Sequence, residues 1–182
     1  MNKKDLLVVF NIFGHHANEN QQINSYKDSL HGIFKQINNA PQFSFRVVIS
    51  ACLVSDRCVD ELKKKFGEDI SIFRYVDRYT CQVASNKTIL KSIEYFDEEY
   101  EGYLYFSSGI FFAPDSEEIN DSFVISEHHV KTPVRTRIGN PKIFSNIVEK
   151  LKTEKYGIIQ LQVNEDHGYH FLGFGPHDWA TE

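Results

Sequence analysis

Short apolar runs alternate along this chain with segments in which apolar residues recur every three or four positions. The continuous runs at 6–10, 45–50 and 70–76 predict three buried strands. A fourth strand is predicted in "EEYEGYLYFSSGIFFAP" (98–114), where an apolar run ends in Ser-Ser-Gly and then resumes. The intervening helical spacing predicts an amphipathic helix at 21–38. Strands and helices therefore alternate regularly through the first half of the sequence.

Capping residues predict where the next two helices begin. Ser55 or Asp56 is expected to cap a second helix that ends at Gly67. Ser85 is expected to cap a third helix. The buried face of the second helix is predicted to consist of Val59, Leu62 and Phe66, and that of the third of Ile89, Leu90, Ile93 and Phe96.

The second half continues the pattern less regularly. Asn140-Pro141 predicts a helix start, and the helix should bury Ile143, Phe144, Ile147, Val148 and Leu151. A further strand is predicted at 156–163. This order predicts an α/β fold with a mainly parallel central sheet flanked by helices on both faces, formed by a single domain over 1–182. Ligands of such sheets bind beyond the carboxyl ends of the strands.

Composition narrows the classes of function. The 182 residues carry a formal net charge of −5, which disfavours nucleic acid as a partner. No apolar segment approaches the roughly 18 residues that would cross a bilayer, so no transmembrane segment is expected. The three cysteines cannot all pair within the chain and have no metal-site spacing, which favours a reducing, cytoplasmic location. The dinucleotide-binding, phosphate-loop and serine-hydrolase motifs are also missing from the sequence.

Three segments resemble the nucleotide-sugar glycosyltransferases of the GT-A type, across about residues 5 to 175. "CQVASNKTILKSIEYF" resembles the third helix of that family, with Asn86 in the place of an asparagine beside the nucleotide. "GYLYFSSGIFF" resembles the strand that presents the family's DxD motif. "VNEDHGYHF" resembles the late acidic motif of inverting, family-2-like members, with Asp166 as the catalytic base and Glu165 before it.

The resemblance implies an enzyme that transfers a sugar from a nucleoside diphosphate sugar to a hydroxyl of a glycan acceptor, with inversion. The resemblance implies a substrate site that includes Asn86 of the third helix together with Ser107, Ser108, Gly109 and Glu165. Asn11 is a further candidate because it ends the first strand at the expected ligand edge. Where the family has two DxD aspartates that hold a divalent cation, Mn or Mg, this chain has Ser-Ser-Gly. The remaining candidate metal ligands are Asp115 and His177. At the second strand, where many members recognise the base with acidic residues, only Asp56 follows.

The short basic stretch "KTPVRTR" offers a different way to bind the donor. If it is extended, Lys131, Arg135 and Arg137 share one face, and the arginines can bind a diphosphate without a metal. The alternative interpretation is a solvated edge strand that carries protective positive charge. Asp166 likewise has an alternative interpretation, as part of a solvated turn.

Another class of function stays open. A catalytically degenerate GT-A-fold domain would bind a glycan or a partner protein, and the missing DxD motif favours this hypothesis. The chain is also compatible with being the donor-binding part of a longer protein, with a further domain or an oligomeric assembly. A third alternative is a metal-binding protein that uses some of its eight histidines.

Overall fold

The computed structural model describes residues 1–14, 18–107, 110–112, 124–127, 135–138, 142–153, 159–162 and 171–175. The strands, in chain order, are β1 (Asn2–Phe13), β2 (Phe45–Cys52), β3 (Ser71–Tyr75), β4 (Glu98–Ser107), β5 (Ile110–Phe112), β6 (Val124–Glu127), β7 (Arg135–Ile138), β8 (Ile159–Gln162) and β9 (Phe171–Gly175). The helices are α1 (Glu19–Asn38), α2 (Asp56–Phe66), α3 (Cys81–Phe96) and α4 (Ile143–Thr153), with a 3-10 turn at Gly67–Asp69. Within these described ranges, no helix is long and apolar enough to cross a membrane.

The larger sheet has the strand order β3-β2-β1-β4-β9-β8. Its first four strands are parallel, whereas β9 pairs antiparallel with both β4 and β8. After β1 the chain moves outward to β2 and β3, then returns to place β4 on the other side of β1. The strand order therefore reverses between β1 and β4, and in open α/β sheets ligands bind outside the carboxyl ends of the strands at such a switch point.

Helices cover both faces of the sheet, as the sequence predicts. Alternate residues of β1 divide between two cores because successive side chains of a strand point to opposite faces. Leu6, Val8 and Phe10 pack with residues of α1, α2 and α4. Leu7 and Val9 pack on the other face with residues of α3 and β4. The predicted α/β architecture with a mainly parallel centre is confirmed.

Caps define the helix boundaries, and most agree with the sequence pattern. The Asn18 side chain accepts a hydrogen bond from the backbone of Gln21 at the start of α1. Ser55 caps α2 by accepting from the backbone N–H of Cys58, and Gly67 ends that helix at φ 56°. Glycine adopts such a positive φ at low cost, which accounts for the residue at this point.

The predictions for α3 were wrong in two respects. Thr80, not Ser85, caps the helix, since its side chain accepts from the backbone of Val83 and the helix begins at Cys81. Leu90 is 47% exposed rather than buried. The reason is that small residues form the face nearest the sheet and set the rotation of the helix. The fully buried small residues of α3 are Ala84, Ser85, Thr88 and Ser92.

The second sheet has the order β5-β7-β6, and β5 lies beside α1. The segment Arg135–Ile138 is extended, as predicted, and pairs with β5 on one side and β6 on the other. For the part of "KTPVRTR" that lies in β7, the edge-strand interpretation is therefore wrong, because β7 is the middle strand of this sheet. Backbone groups of a middle strand are already paired, so protection of a free edge does not explain Arg135 and Arg137.

An ion pair stabilises the opposite, amino-terminal edge of the larger sheet. The Arg46 guanidinium donates two hydrogen bonds to the carboxylate of Glu98, a residue that is only 4% exposed. Tyr100 donates a further bond of 2.8 Å to the same carboxylate. Burial opposes ionisation of Glu98, but the bonds from Arg46 and Tyr100 outweigh it, and its pKa is lowered from its usual value.

Candidate functional site

A single polar residue, Asn11, interrupts the apolar run of β1 near the switch point, and the buried Ile12 follows it. Asn11 is fully buried and lies in register with Ser50 of β2 and Ser107 of β4. The preceding positions of β1, from Leu6 to Phe10, are all buried and apolar. This change from apolar to polar occurs inside the sheet, so packing alone does not account for Asn11. Asn11 and Ser107, both predicted site residues, therefore occupy adjacent strands at the predicted ligand edge.

A buried hydrogen-bond chain joins β1 to α3 at this point. The Asn11 side-chain nitrogen donates to the Ser85 hydroxyl at 2.7 Å. The Ser85 hydroxyl in turn donates to the backbone carbonyl of Cys81, one helical turn earlier, also at 2.7 Å. Ser85 thus joins the helix to the strand, and the sequence analysis assigned it no role at the site.

Asn86 follows directly and has a buried acceptor. Its Oδ1 is inaccessible to solvent and has no hydrogen-bond partner within the described part of the chain. A buried acceptor without a donor is costly, so such atoms in native proteins call for an explanation such as a ligand or an ordered water. The structure therefore places the predicted residue Asn86 beside the Asn11–Ser85 pair, with an unused acceptor.

A cavity of about 350 Å³ lies at the same sheet edge, between the first turns of α1 and α2. This volume is at the lower end of the range of small-molecule sites. Its lining residues are Gly14, Glu19, Gln22, Leu53, Val54, Ser55 and Cys58. The carboxylate of Glu19 accepts from Ser55 and also pairs with Arg57 at 3.4 Å, so its charge is already compensated.

The backbones beside this cavity are held very close together. The N–H of Gly14 donates to the carbonyl of Cys52, and the N–H of Leu53 donates to the carbonyl of Tyr75, both at 3.0 Å. Leu53 has a φ of 55°, which is unusual for a residue with a branched side chain. A Cβ added to Gly14 would lie 2.1 Å from the Leu53 carbonyl oxygen. Only glycine fits at position 14.

Cations and aromatic rings border the end of β3. The Tyr75 hydroxyl bonds to Thr88 of α3 at 2.8 Å, and Lys91 lies 4.6 Å from the Tyr75 ring centroid. Lys87, one turn earlier on α3, lies 5.0 Å from the ring of Tyr79. Such lysine–ring contacts are modestly favourable and keep the two ammonium groups near this edge. The switch point is uncharged in the described residues, whereas its β3 side is cationic.

Asp56, considered as a base-recognition residue, lies on the surface. Its side chain is 86% exposed and pairs with Arg74 at 2.6 Å. Arg74 also donates to the carbonyl of Val54. An exposed carboxylate that already pairs with an arginine contributes little to a buried ligand site. Asp56 is therefore an exposed residue of the first turn of α2.

The described residues do not form a site for a divalent cation. They contain no group of three or more histidine, cysteine or acidic side chains placed to hold a metal ion. Asn11, Ser85 and Asn86 are neutral, and hard cations prefer carboxylates. Burial raises the pKa of Cys58 to about 11 and that of Cys81 to about 12, and it also raises the pKa of Cys52. Burial therefore favours the neutral thiol form of these cysteines, which is a weaker nucleophile than the thiolate.

The remaining predicted site residues divide into two groups. Arg135 and Arg137 lie in β7, and Ser107 is the last residue of β4. The others lie outside the described residues, and their roles stay predictions; they are Ser108, Gly109, Asp115, Lys131, Glu165, Asp166 and His177. The helix start predicted at Asn140-Pro141 also lies outside the described residues.

Comparisons with known proteins support the fold. The structure is similar to that of a protein from Desulfovibrio desulfuricans G20 that carries the provisional name nucleotide-diphospho-sugar transferase. The TM-score is 0.52 at 10% sequence identity, and the match covers 94% of this chain but only 64% of that protein. No protein-family model matches this sequence, and no curated protein matches it. The chain thus has the fold of a nucleotide-diphospho-sugar transferase and spans about two thirds of its neighbour's length.

Proposed function

We propose that this chain binds a nucleoside diphosphate sugar at the switch point and transfers the sugar to an acceptor hydroxyl with inversion. One observation carries the proposal. Asn11 of β1 bonds to Ser85 of α3, and the next residue of that helix, Asn86, has a buried Oδ1 without a donor in the described residues. A nucleotide sugar offers hydroxyl and N–H donors that match such an acceptor. The transferase-like fold supports the same class of ligand.

In the proposed reaction, Asp166 accepts the proton of the acceptor hydroxyl as its oxygen attacks the anomeric carbon. The new glycosidic bond forms on the face opposite the leaving group. The bond from the anomeric carbon to the diphosphate oxygen breaks, and the nucleoside diphosphate departs with the electron pair. Arg135 and Arg137 would stabilise its negative charge through bidentate hydrogen bonds. The role of Asp166 rests on the sequence resemblance, whereas that of Arg135 and Arg137 rests on the alternation of basic residues in "KTPVRTR".

A bound manganese or magnesium ion would supply further stabilisation of the leaving diphosphate. Asp115 and His177 are the proposed ligands, on the basis of the sequence alone. Since the described residues do not fit a cation, no step of the proposed reaction depends on one.

The test is a calorimetric screen of UDP-glucose, UDP-N-acetylglucosamine and GDP-mannose, with and without manganese, combined with an assay of nucleoside diphosphate released to saccharide acceptors. We expect one donor to bind, and Asn86→Ala to weaken its binding at least tenfold. Asn24→Ala, an exposed asparagine of α1, is the control and should bind normally. Asp166→Asn should still bind the donor but lose sugar transfer. Glu165→Gln should retain more transfer activity than Asp166→Asn.

Two outcomes would overturn parts of the proposal. If no donor binds with or without metal, the transferase function is wrong. If a donor binds but no acceptor is glycosylated, the catalytic part fails, and a degenerate domain that only binds is the better account. Full transfer by Asp166→Asn would remove that residue from the role of base.

A further inference from the structure

Ser85 stands out among the residues of α3 because its hydroxyl is bonded on two sides. It accepts from Asn11 across 74 positions of sequence and donates to the Cys81 carbonyl within its own helix. Both partners are 2.7 Å away, and Ser85 and Asn11 are fully buried. A buried bond between polar groups is held firmly, since neither group can exchange its partner for water.

This bond and one other fix the rotation of α3 on the sheet. Thr88, one turn beyond Ser85, bonds to the Tyr75 hydroxyl of β3 at 2.8 Å. The helix is therefore attached to β1 near its start and to β3 one turn later. Two attachments on a rigid helix determine both its height along the strands and its rotation about its own axis.

Asn86 is the residue whose position this attachment determines most directly. It follows Ser85 in the helix, about 1.5 Å further along the axis and about 100° around it. Its Oδ1 is buried and without a donor in the described residues. An acceptor that must meet a ligand donor at about 3 Å tolerates little displacement. A helix free to rotate or slide would move this atom out of reach.

We infer that Ser85 is a positioning residue: by joining α3 to Asn11 of β1, it holds the Asn86 acceptor at the switch point. The expected effect of Ser85 on nucleotide-sugar binding rests on the proposed function. Its effect on the position of Asn86 is independent of that function. Ser85 itself need not touch the ligand, because its hydroxyl is already bonded to two protein groups.

The same helix offers a matched control. Ser92 is also fully buried and donates to the carbonyl four residues earlier, that of Thr88, at 2.6 Å. No bond from Ser92 to a strand is present in the described structure. Ser85→Ala and Ser92→Ala therefore remove the same hydroxyl-to-carbonyl bond from two points of α3, and only the first removes the attachment to β1.

The experiment compares the two variants by urea unfolding, by donor calorimetry, and by NMR of the side-chain amides of Asn11 and Asn86. Ser85→Ala should lose more stability than Ser92→Ala, because it also removes the acceptor of the buried Asn11 side-chain nitrogen. Ser85→Ala should weaken donor binding at least tenfold and shift both amide signals, while Ser92→Ala should bind within twofold of wild type and leave the signals in place. If Ser85→Ala fails to fold, Ser85→Cys, which is nearly isosteric and a weak hydrogen-bonding group, takes its place.

The outcomes separate the two proposals. If wild type binds a donor and Ser85→Ala binds like Ser92→Ala, the positioning role is wrong while the proposed function stands. If wild type binds no donor, the proposed function is wrong, and the NMR comparison alone tests the positioning role of Ser85. Shifts of the Asn86 amide in Ser85→Ala alone then support the positioning role, and equal spectra of the two variants overturn it.

Discussion

Asn11 and Ser107 lie opposite each other in register on two adjacent parallel strands, at the carboxyl ends of β1 and β4. These strands flank the point where the strand order reverses. On the α3 side of the same edge, Asn11 bonds to Ser85. Among the described residues, Asn11 and Ser85 thus offer an amide and a hydroxyl without net charge at this edge. That Ser107, Ser108 and Gly109 stand where GT-A-type glycosyltransferases have the two DxD aspartates follows from the sequence resemblance and stays a prediction.

Replacing Glu98 by glutamine should lower the free energy of unfolding at pH 7 by about 2 kcal/mol, because a charged, buried acceptor of several bonds is lost. The pKa of Glu98 is lowered in the folded state. Its contribution is therefore complete above the pKa of an unfolded glutamate, about 4.3, and is lost as the pH falls through the folded value. Urea unfolding at pH 7 and pH 3 should show the difference between Glu98→Gln and wild type shrinking at the lower pH.

Glu99→Gln is the control for this prediction, since Glu99 is the exposed neighbour of Glu98 in β4. Its effect should stay within about 0.5 kcal/mol at both pH values. Two results would contradict the stabilising role of the Glu98 carboxylate. One is a loss of stability in Glu99→Gln at pH 7 as large as that in Glu98→Gln, and the other is a Glu98→Gln effect that does not change with pH.

Gly14→Ala should destabilise the protein by about 2 kcal/mol or more, because the new Cβ would collide with the Leu53 carbonyl and force the backbones apart. Gly67→Ala is the comparison variant, because its loss of stability would have a different cause. At Gly67 the cost comes from the positive φ alone, since an added Cβ meets nothing within 4 Å. Thermal unfolding of both variants measures the costs, and a Gly14→Ala protein as stable as wild type would rule out the close approach.

Thr80→Ala should cost about 1 kcal/mol, the usual loss when a helix cap is removed. Thr80→Asp should retain most of the stability, because a carboxylate can accept the same backbone N–H from Val83. Chemical unfolding of the two variants tests the observed start of α3. If Thr80→Ala were neutral, the helix would begin at a later residue.

Ile89 and Leu90 test the rotation of α3. Ile89 is fully buried, so Ile89→Ala should cost about 3 kcal/mol. Leu90 is 47% exposed, so Leu90→Lys should change stability by less than about 0.5 kcal/mol. Unfolding curves of the two variants measure both effects. A large loss of stability in Leu90→Lys would mean that α3 is rotated from its described position.

Much of the fold could be predicted from sequence because β1, β2 and β3 are nearly continuous apolar runs. Such runs are expected of strands that pack against a hydrophobic core on each face of the sheet. The helices α1, α2 and α4 were predicted from their 3.6-residue periodicity, and the ends of α2 also from the caps Ser55 and Gly67. The prediction failed for α3, where Ala84, Ser85 and Thr88 approach the sheet closely and leave the larger Leu90 outside. A hydrophobicity pattern favours the larger residue, whereas close packing against a sheet favours the smaller ones.

Only part of the candidate site could be predicted from the sequence. Strand ends identify Asn11 and Ser107 as edge residues, because parallel strands end together at one side of a sheet. The role of Ser85 was missed, since its partner is 74 positions away and a serine inside a helix gives no local signal for it. The function of Asp166 rests on the resemblance and that of Arg135 and Arg137 on their alternating spacing, and both stay predictions.

The contact between Gly14 and Leu53 also limits how the ligand preference of this scaffold can be redesigned. After β1, the N–H of Gly14 bonds to Cys52, and an extra carbon on Gly14 would collide with Leu53. An insertion at Gly14 or Leu53 would separate the strands before it reshaped any pocket. Val76, directly after β3, is the better place for library design, because it is 88% exposed and its replacement disturbs little packing.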